Sequence, residues 1–349
     1  MAAMRRFLVP WLLVLCACAP AAPVSQLTSP VSAPADWIEV YFTDPYAASA
    51  REVRGGPDEE LARSIRAARS SVWMAIYDLN LWSIRDALLD AHARGLDVRL
   101  VVEANNEDRR ELQQLIQAGI PVVLDTGQNF MHNKFVVIDA YEVWTGSSNF
   151  TVSDMYGNRN NVLRLRSVQL AANYASEFEE MFSQGRFGES ALDNTPYPEL
   201  VIGDVELHTY FSPDDGVKDA LVDVIDSAED SIYFLAFSFT LDDLGDALVR
   251  AQQRGVEVRG IMDDDQINNQ GNEYSYLLQN GVQVYLDEPD SNLHDKVLII
   301  DDATVVTGSY NFSSNAEFRN DENTLVIFDE QLASDYVEHF QLLWALTQR

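Results

Sequence analysis

The sequence predicts an α/β protein made of two similar halves, each a helix-covered sheet. Two observations carry this. A motif appears twice with identical internal spacing, and strand-like apolar runs alternate with helix-like stretches in the same order around each copy. His132, Lys134, Asp139, Gly146, Ser147 and Asn149 recur as His294, Lys296, Asp301, Gly308, Ser309 and Asn311, each 162 positions further on. Two such halves in one chain would pair about a pseudo-two-fold axis, which could bring the two motif loops face to face.

In chain order, residues 1–18 read as a signal peptide. Arg5-Arg6 precede an apolar stretch, Phe7 to Val14, that is too short to span a bilayer. Leu15-Cys16-Ala17-Cys18 resembles a bacterial lipobox, with Cys18 the expected lipidation site. Ala19-Pro20-Ala21 offers an ordinary cleavage site instead. Both cysteines lie in this segment, so the folded part is expected to have neither disulfide nor thiol catalyst. Residues 19–36, rich in Pro, Ser, Ala and Thr, read as a tether. No later stretch is apolar and long enough for a membrane span. Export is expected, with the protein anchored at the cell envelope or secreted.

Residues 37–187 form the first half, 188–200 a linker marked by Asn194-Thr195-Pro196 and Pro198, and 201–349 the second half. In each half the expected order is helix (59–68; 217–227), strand (72–77; 232–237), helix ending at a glycine, and strand (98–102; 258–262). A helix, a short strand, the motif hairpin, a strand and a closing helix follow. Asp86-Ala87-Leu88-Leu89 returns as Asp246-Ala247-Leu248-Val249, and Gln169-Leu170-Ala171 with Tyr174 and Phe178 returns as Gln331-Leu332-Ala333 with Tyr336 and Phe340.

The motif carries chemistry. Phe135 to Ile138 is a short apolar run flanked by charge, as in a strand buried on both faces. His132 and Lys134, two apart on such a strand, would share one face. Asn149 adds an amide and the Gly-Ser loop adds hydroxyl and N–H groups, a set suited to a phosphate-like oxyanion. Metal binding is disfavoured, because an ammonium beside each imidazole would repel a cation. Lysine usage points the same way. Of 24 lysines and arginines only three are lysines, and two of those are Lys134 and Lys296. Lys218 reads as a solvated surface charge.

The doubled motif resembles the HKD signature of the phospholipase D superfamily, and the resemblance covers roughly residues 37–349. It implies the phospholipase D-like fold, a single active site between the halves and no cofactor. It also implies metal-independent attack of one histidine on a phosphodiester, with the other acting as general acid and base. On that basis the catalytic set is His132, Lys134, Asn149, His294, Lys296, Asn311 and Glu322, with Ser147, Ser309 and Asn160 in support. Asp139 and Asp301 are expected to be structural. Family members commonly carry a glutamate in N-x-E-N after the motif. The second half has Asn320-Asp321-Glu322-Asn323, whereas the first has Asn158-Arg159-Asn160-Asn161. If each half serves its own histidine, Glu322 would make His294 the acid and leave His132 as nucleophile.

Other residues take plainer readings. His92, His208 and His339 are expected in surface or packing roles. Asp263-Asp264-Asp265 read as a solvated acidic loop, with a cleft border or Ca²⁺ binding as alternatives. Tyr233, Phe234 and Phe237 read as core strand residues. The net charge of −31 and the lack of any basic run disfavour a nucleic-acid substrate. A phospholipid met at a membrane surface is therefore the expected substrate, and the protein is expected to act as a monomer. An endonuclease of the same superfamily and a non-catalytic phosphate-binding lipoprotein are the alternatives.

Overall fold

The computed structural model describes residues 37–287 and 290–348. The signal segment with Cys18, and the tether, lie outside the described residues. In the first half the strands are β1 (Ile38–Phe42), β2 (Ser71–Ile76), β3 (Asp97–Glu103), β4 (Val122–Asp125), β5 (Lys134–Ile138), β6 (Glu142–Gly146) and β7 (Asn161–Arg166). Among the described residues they form one sheet in the order β1-β7-β6-β5-β2-β3-β4. β2, β3 and β4 run parallel, linked by helices, while the motif hairpin β5-β6 and strands β1 and β7 pair antiparallel.

The second half repeats the plan with β8 (Glu199–Ile202), β9 (Val205–Ser212), β10 (Ser231–Ala236), β11 (Glu257–Met262), β12 (Gln283–Leu286), β13 (Lys296–Ile300), β14 (Thr304–Gly308) and β15 (Glu322–Phe328). Their order is β12-β11-β10-β13-β14-β15-β9-β8. The mixed sheets and the repeated element order agree with the α/β reading. Strands β1, β8 and β9 were not anticipated, and β8 takes up Glu199 and Leu200, the last two residues of the expected linker.

The motif strands sit mid-sheet because they can be buried on both faces, and every residue of β5 and β13 is buried. The helix Val168–Gln184 starts where the Ser167 hydroxyl accepts from the N–H of Leu170, and stops at Gly185 in the left-handed region. Its counterpart, Glu330–Leu346, is capped by Asp329, which accepts from Gln331 and Leu332. These two helices lie in the middle of the molecule. Tyr174, Phe178, Tyr336 and Phe340 share one apolar core with inward residues of both sheets, such as Phe135, Leu163, Val297 and Leu325. The outer face of each sheet packs a separate core under its own helices. No described helix is long and apolar enough to cross a membrane.

Candidate active site

Each motif histidine lies just before its strand rather than in it, since β5 opens at Lys134 and β13 at Lys296. What fixes the preceding segment is the opposite half. The N–H of His132 donates to the carbonyl of Asp321 (2.9 Å), and that of His294 donates to the carbonyl of Arg159 (2.8 Å). The N–H of Asp321 donates in turn to the carbonyl of Phe130, and that of Arg159 to Asn292, making a small parallel bridge on each side of the interface.

The rings follow the backbone across. His132 Nδ1 lies 2.7 Å from Glu322 Oε2, and His294 Nδ1 lies 2.9 Å from Asn160 Oδ1. The expectation that each half serves its own histidine is therefore overturned. Glu322 holds His132, because the segment that follows each G-S-x-N loop and its short helix pairs with the residues just before the other half's motif strand. Ser147 and Ser309 act on these partners. The Ser147 hydroxyl donates to Asn160 Oδ1 (2.9 Å) while accepting from the N–H of Asn161 (3.1 Å), and the Ser309 hydroxyl bonds Glu322 and accepts from the N–H of Asn323 (3.0 Å).

Lys134 and Lys296 are fully buried, and each curls back to donate to the carbonyl of its own motif histidine, Lys134 at 2.8 Å. Burial and both ammonium groups hold the two imidazoles well below their ordinary range. Each imidazole is held by a side chain of the other half and carries its own lysine at its carbonyl, so all four groups lie where the halves meet. Burial pushes Lys134 down to about 8, and burial together with Lys134 pushes Lys296 down to about 7. Burial pushes Glu322 up to about 8 against the pull of the lysines and Ser309. The carbonyl oxygens of the Asn149 and Asn311 side chains are buried with no hydrogen-bond partner among the described residues. Burial thus opposes the charged form of each of these groups.

Several supporting residues were not anticipated. Asn323 reaches across to donate to Asn133 (2.9 Å) and accepts from Thr145 (2.7 Å) and Tyr174 (3.2 Å). Asn161 does the same in reverse, donating to Asp295 (2.7 Å) and accepting from Thr307 (2.8 Å) and Tyr336 (3.1 Å). Asn161, Thr145 and Tyr174 recur 162 positions on as Asn323, Thr307 and Tyr336, which was the available signal. The motif glycines serve this clamp. A Cβ on Gly146 would stand 2.4 Å from the carbonyl oxygen of Asn161, and one on Gly308 would stand 2.1 Å from that of Asn323.

Phe237 departs from its core reading. It lies past the end of β10 with its ring 4.7 Å from that of His294, as Tyr77 lies 5.0 Å from His132. Asp263 is buried rather than solvated. Its carboxylate accepts from the N–H of Leu293 (2.9 Å) just before His294, and Glu103 likewise holds Met131 (3.1 Å) before His132. Asp139 and Asp301 point away from the pocket. Each sits in the left-handed region and accepts N–H bonds from three consecutive residues, 69–71 and 229–231. Lys218 pairs with Asp219 and Asp243 at the surface, and His339 stacks on Phe42.

The model of the family described as "Cardiolipin synthase, PLD-like domain" matches residues 61–182 and again 221–344. The chain belongs to the phospholipase D-like family. It is a phosphodiesterase of that superfamily. A phospholipase D of Rickettsia conorii is 33% identical over 163 residues, covering 47% of this chain and 82% of the relative. A mitochondrial cardiolipin hydrolase of Chlamydomonas reinhardtii is 32% identical over 123 residues, covering 35% of this chain and 55% of the relative. Phosphatidylserine synthase of Haemophilus influenzae matches the phospholipase D-like fold across both halves, with a TM-score of 0.65 at 15% identity, covering 89% of this chain and 87% of that one.

Proposed function

We propose that the enzyme cleaves phospholipid headgroups through a phosphohistidine formed on His132. The observation that carries this is the pair of imidazoles whose Nδ1 atoms are tied to a carboxylate and an amide of the opposite half, each beside both lysines. With Nδ1 engaged, Nε2 is assigned to the chemistry in each ring, and the backbone of Ser309 and of Ser147 also bonds the imidazoles of His132 and His294.

His132 Nε2 attacks phosphorus and the bond to the leaving oxygen breaks, while His294 Nε2–H gives that oxygen its proton. The phosphorylated imidazole is cationic and Glu322 lies against it, which favours His132 over His294 as nucleophile. His294 then takes a proton from water, hydroxide attacks phosphorus, and the P–N bond breaks to restore His132. Lys134 and Lys296 neutralise the phosphoryl oxygens throughout, with the amides of Asn149 and Asn311 as hydrogen-bond donors. Arrival of the anionic phosphodiester lifts the depressed imidazoles, so that the acid can carry its proton.

A lipid substrate is supported by the names of the relatives, by the acidic surface and by the lipobox-like Cys18, which would hold the enzyme at an envelope membrane. The test offers phosphatidylcholine vesicles, plasmid DNA and a chromogenic phosphodiester, all with chelator present. Choline release is expected, whereas nicked plasmid without choline release would assign an endonuclease. Turnover of none of the three would leave a binding protein. With an activated substrate, the His294→Asn variant should accumulate phosphoenzyme and His132→Asn should form none.

A further inference from the structure

The two halves differ where symmetry would least allow it. The repeat places Asn160 opposite Glu322, so the first half lacks the carboxylate that the second half offers. A second mismatch lies six residues upstream, where Asp154 stands opposite Ala316. The first half has lost an acid at one position and holds one at another.

The structure brings the second acid to the first one's task. Asp154 is buried, and its Oδ1 lies 3.4 Å from His294 Nδ1, the same nitrogen that donates to Asn160 Oδ1 at 2.9 Å. Asn160 is held in register with Asp154, since its Nδ2 donates to the Asp154 carbonyl (3.0 Å) and its Oδ1 accepts from Ser147. We propose that Asp154 is the positioning carboxylate of His294, standing to the acid–base histidine as Glu322 stands to the nucleophile.

Helix capping does not account for the residue. Asp154 does close a capping arrangement with Thr151, accepting at Oδ2 from the Thr151 hydroxyl (2.6 Å) while its N–H donates back (3.1 Å). That bond engages Oδ2, while Oδ1 is the oxygen that lies against the imidazole. The matching helix in the second half is capped by Ser313 alone, which accepts from the N–H of Ala316 (3.3 Å) with no carboxylate at that position. The cap therefore forms without an acid, and a buried acid is costly.

The charge has a use. Burial raises the Asp154 carboxyl above its ordinary range, and hydrogen bonds from Thr151, Asn149 and Asn158 together with the Lys134 ammonium work against that; the carboxylate faces His294 and both lysines. The two lysines oppose a proton on His294, and an amide at position 160 orients the ring but cannot offset them. A leaving alkoxide needs that proton.

The inference rests on the two-histidine reaction above, and its test has an arm that does not need turnover. In the full chain, Asp154→Asn, Asp154→Ala and the double variant Asp154→Ala/Asn160→Glu, which installs the second-half pattern, are compared with the unaltered enzyme. On phosphatidylcholine, whose choline leaving group needs the proton, Asp154→Asn and Asp154→Ala should lower kcat about 10²-fold with KM within about threefold, and the double variant should recover most of the loss. Melting curves identify any variant that fails to fold; Asp154→Asn retains a cap acceptor and is the safeguard. In saturating inorganic phosphate, the ¹⁵N titration midpoint of His294, assigned by its loss in His294→Asn, should fall in both single variants and return in the double.

A midpoint unmoved by Asp154→Asn, or a double variant no nearer to the unaltered enzyme than Asp154→Ala, overturns the role. If the unaltered enzyme cleaves no phosphodiester, the proposed function fails, and the titration midpoints still decide for or against Asp154.

Discussion

Lys296 shows how far burial alters an ordinary side chain. Pushed down to about 7, it is partly deprotonated near neutrality, and Lys134, at about 8, is not far behind. A bound phosphate would draw both back to the ammonium form, so binding takes up protons. Inorganic phosphate should therefore bind with net proton uptake, measurable calorimetrically in buffers of different ionisation enthalpy. Its affinity should fall as pH rises past these values, because the cations are then lost. Glu322→Gln should lower kcat about 10²-fold with little change in melting temperature, since the amide keeps the size and one hydrogen bond but not the charge. The histidines, lysines and asparagines of the motif were legible because they keep identical intervals in two places. Which histidine Glu322 serves was not, because linear order cannot distinguish a partner in the same half from one across an interface. Phe237 was misread for a related reason: an aromatic following an apolar strand looks the same whether it packs inward or against a catalytic ring.

At the scale of elements, the alternation of strands and helices was readable from apolar periodicity, but the edge strands were not. β1 is only half-buried along its length and β8 alternates exposed and buried residues over four positions, a signal too short to separate from a loop. The motif hairpin is fastened at its far end by Asp139. Burial alone would raise that carboxyl, but the N–H groups of residues 69–71 outweigh it and the net shift is downward. The contribution to stability is thus complete above the ordinary carboxylate range and fades as pH falls through the lowered value. Asp139→Ala should cost about 2 kcal/mol in denaturant melts while leaving kcat per folded molecule nearly unchanged. Gly308→Ala should do the reverse of a silent change. Its Cβ would press on the Asn323 carbonyl, and both activity and melting temperature should drop.

For the whole molecule, the doubled motif announced two halves, and the pseudo-two-fold arrangement followed from their sharing one core. The network joining them was hidden, since Asn161, Asn323, Thr145 and Thr307 lack any chemistry that marks them individually. Charge acts at this scale as well. With a net charge of −31 the enzyme is repelled by anionic surfaces, and salt screens that repulsion. Initial rates on vesicles rich in anionic lipid should rise with ionic strength, while rates on purely zwitterionic vesicles should change little.

The exchange of partners between halves, His132 to Glu322 and His294 to Asn160, also bears on synthesis. A polypeptide emerging from its N-terminus completes the first imidazole's surroundings only when residue 322 has been made. Until then the first imidazole lacks its carboxylate, and a product truncated anywhere before that point should be without phosphodiesterase activity.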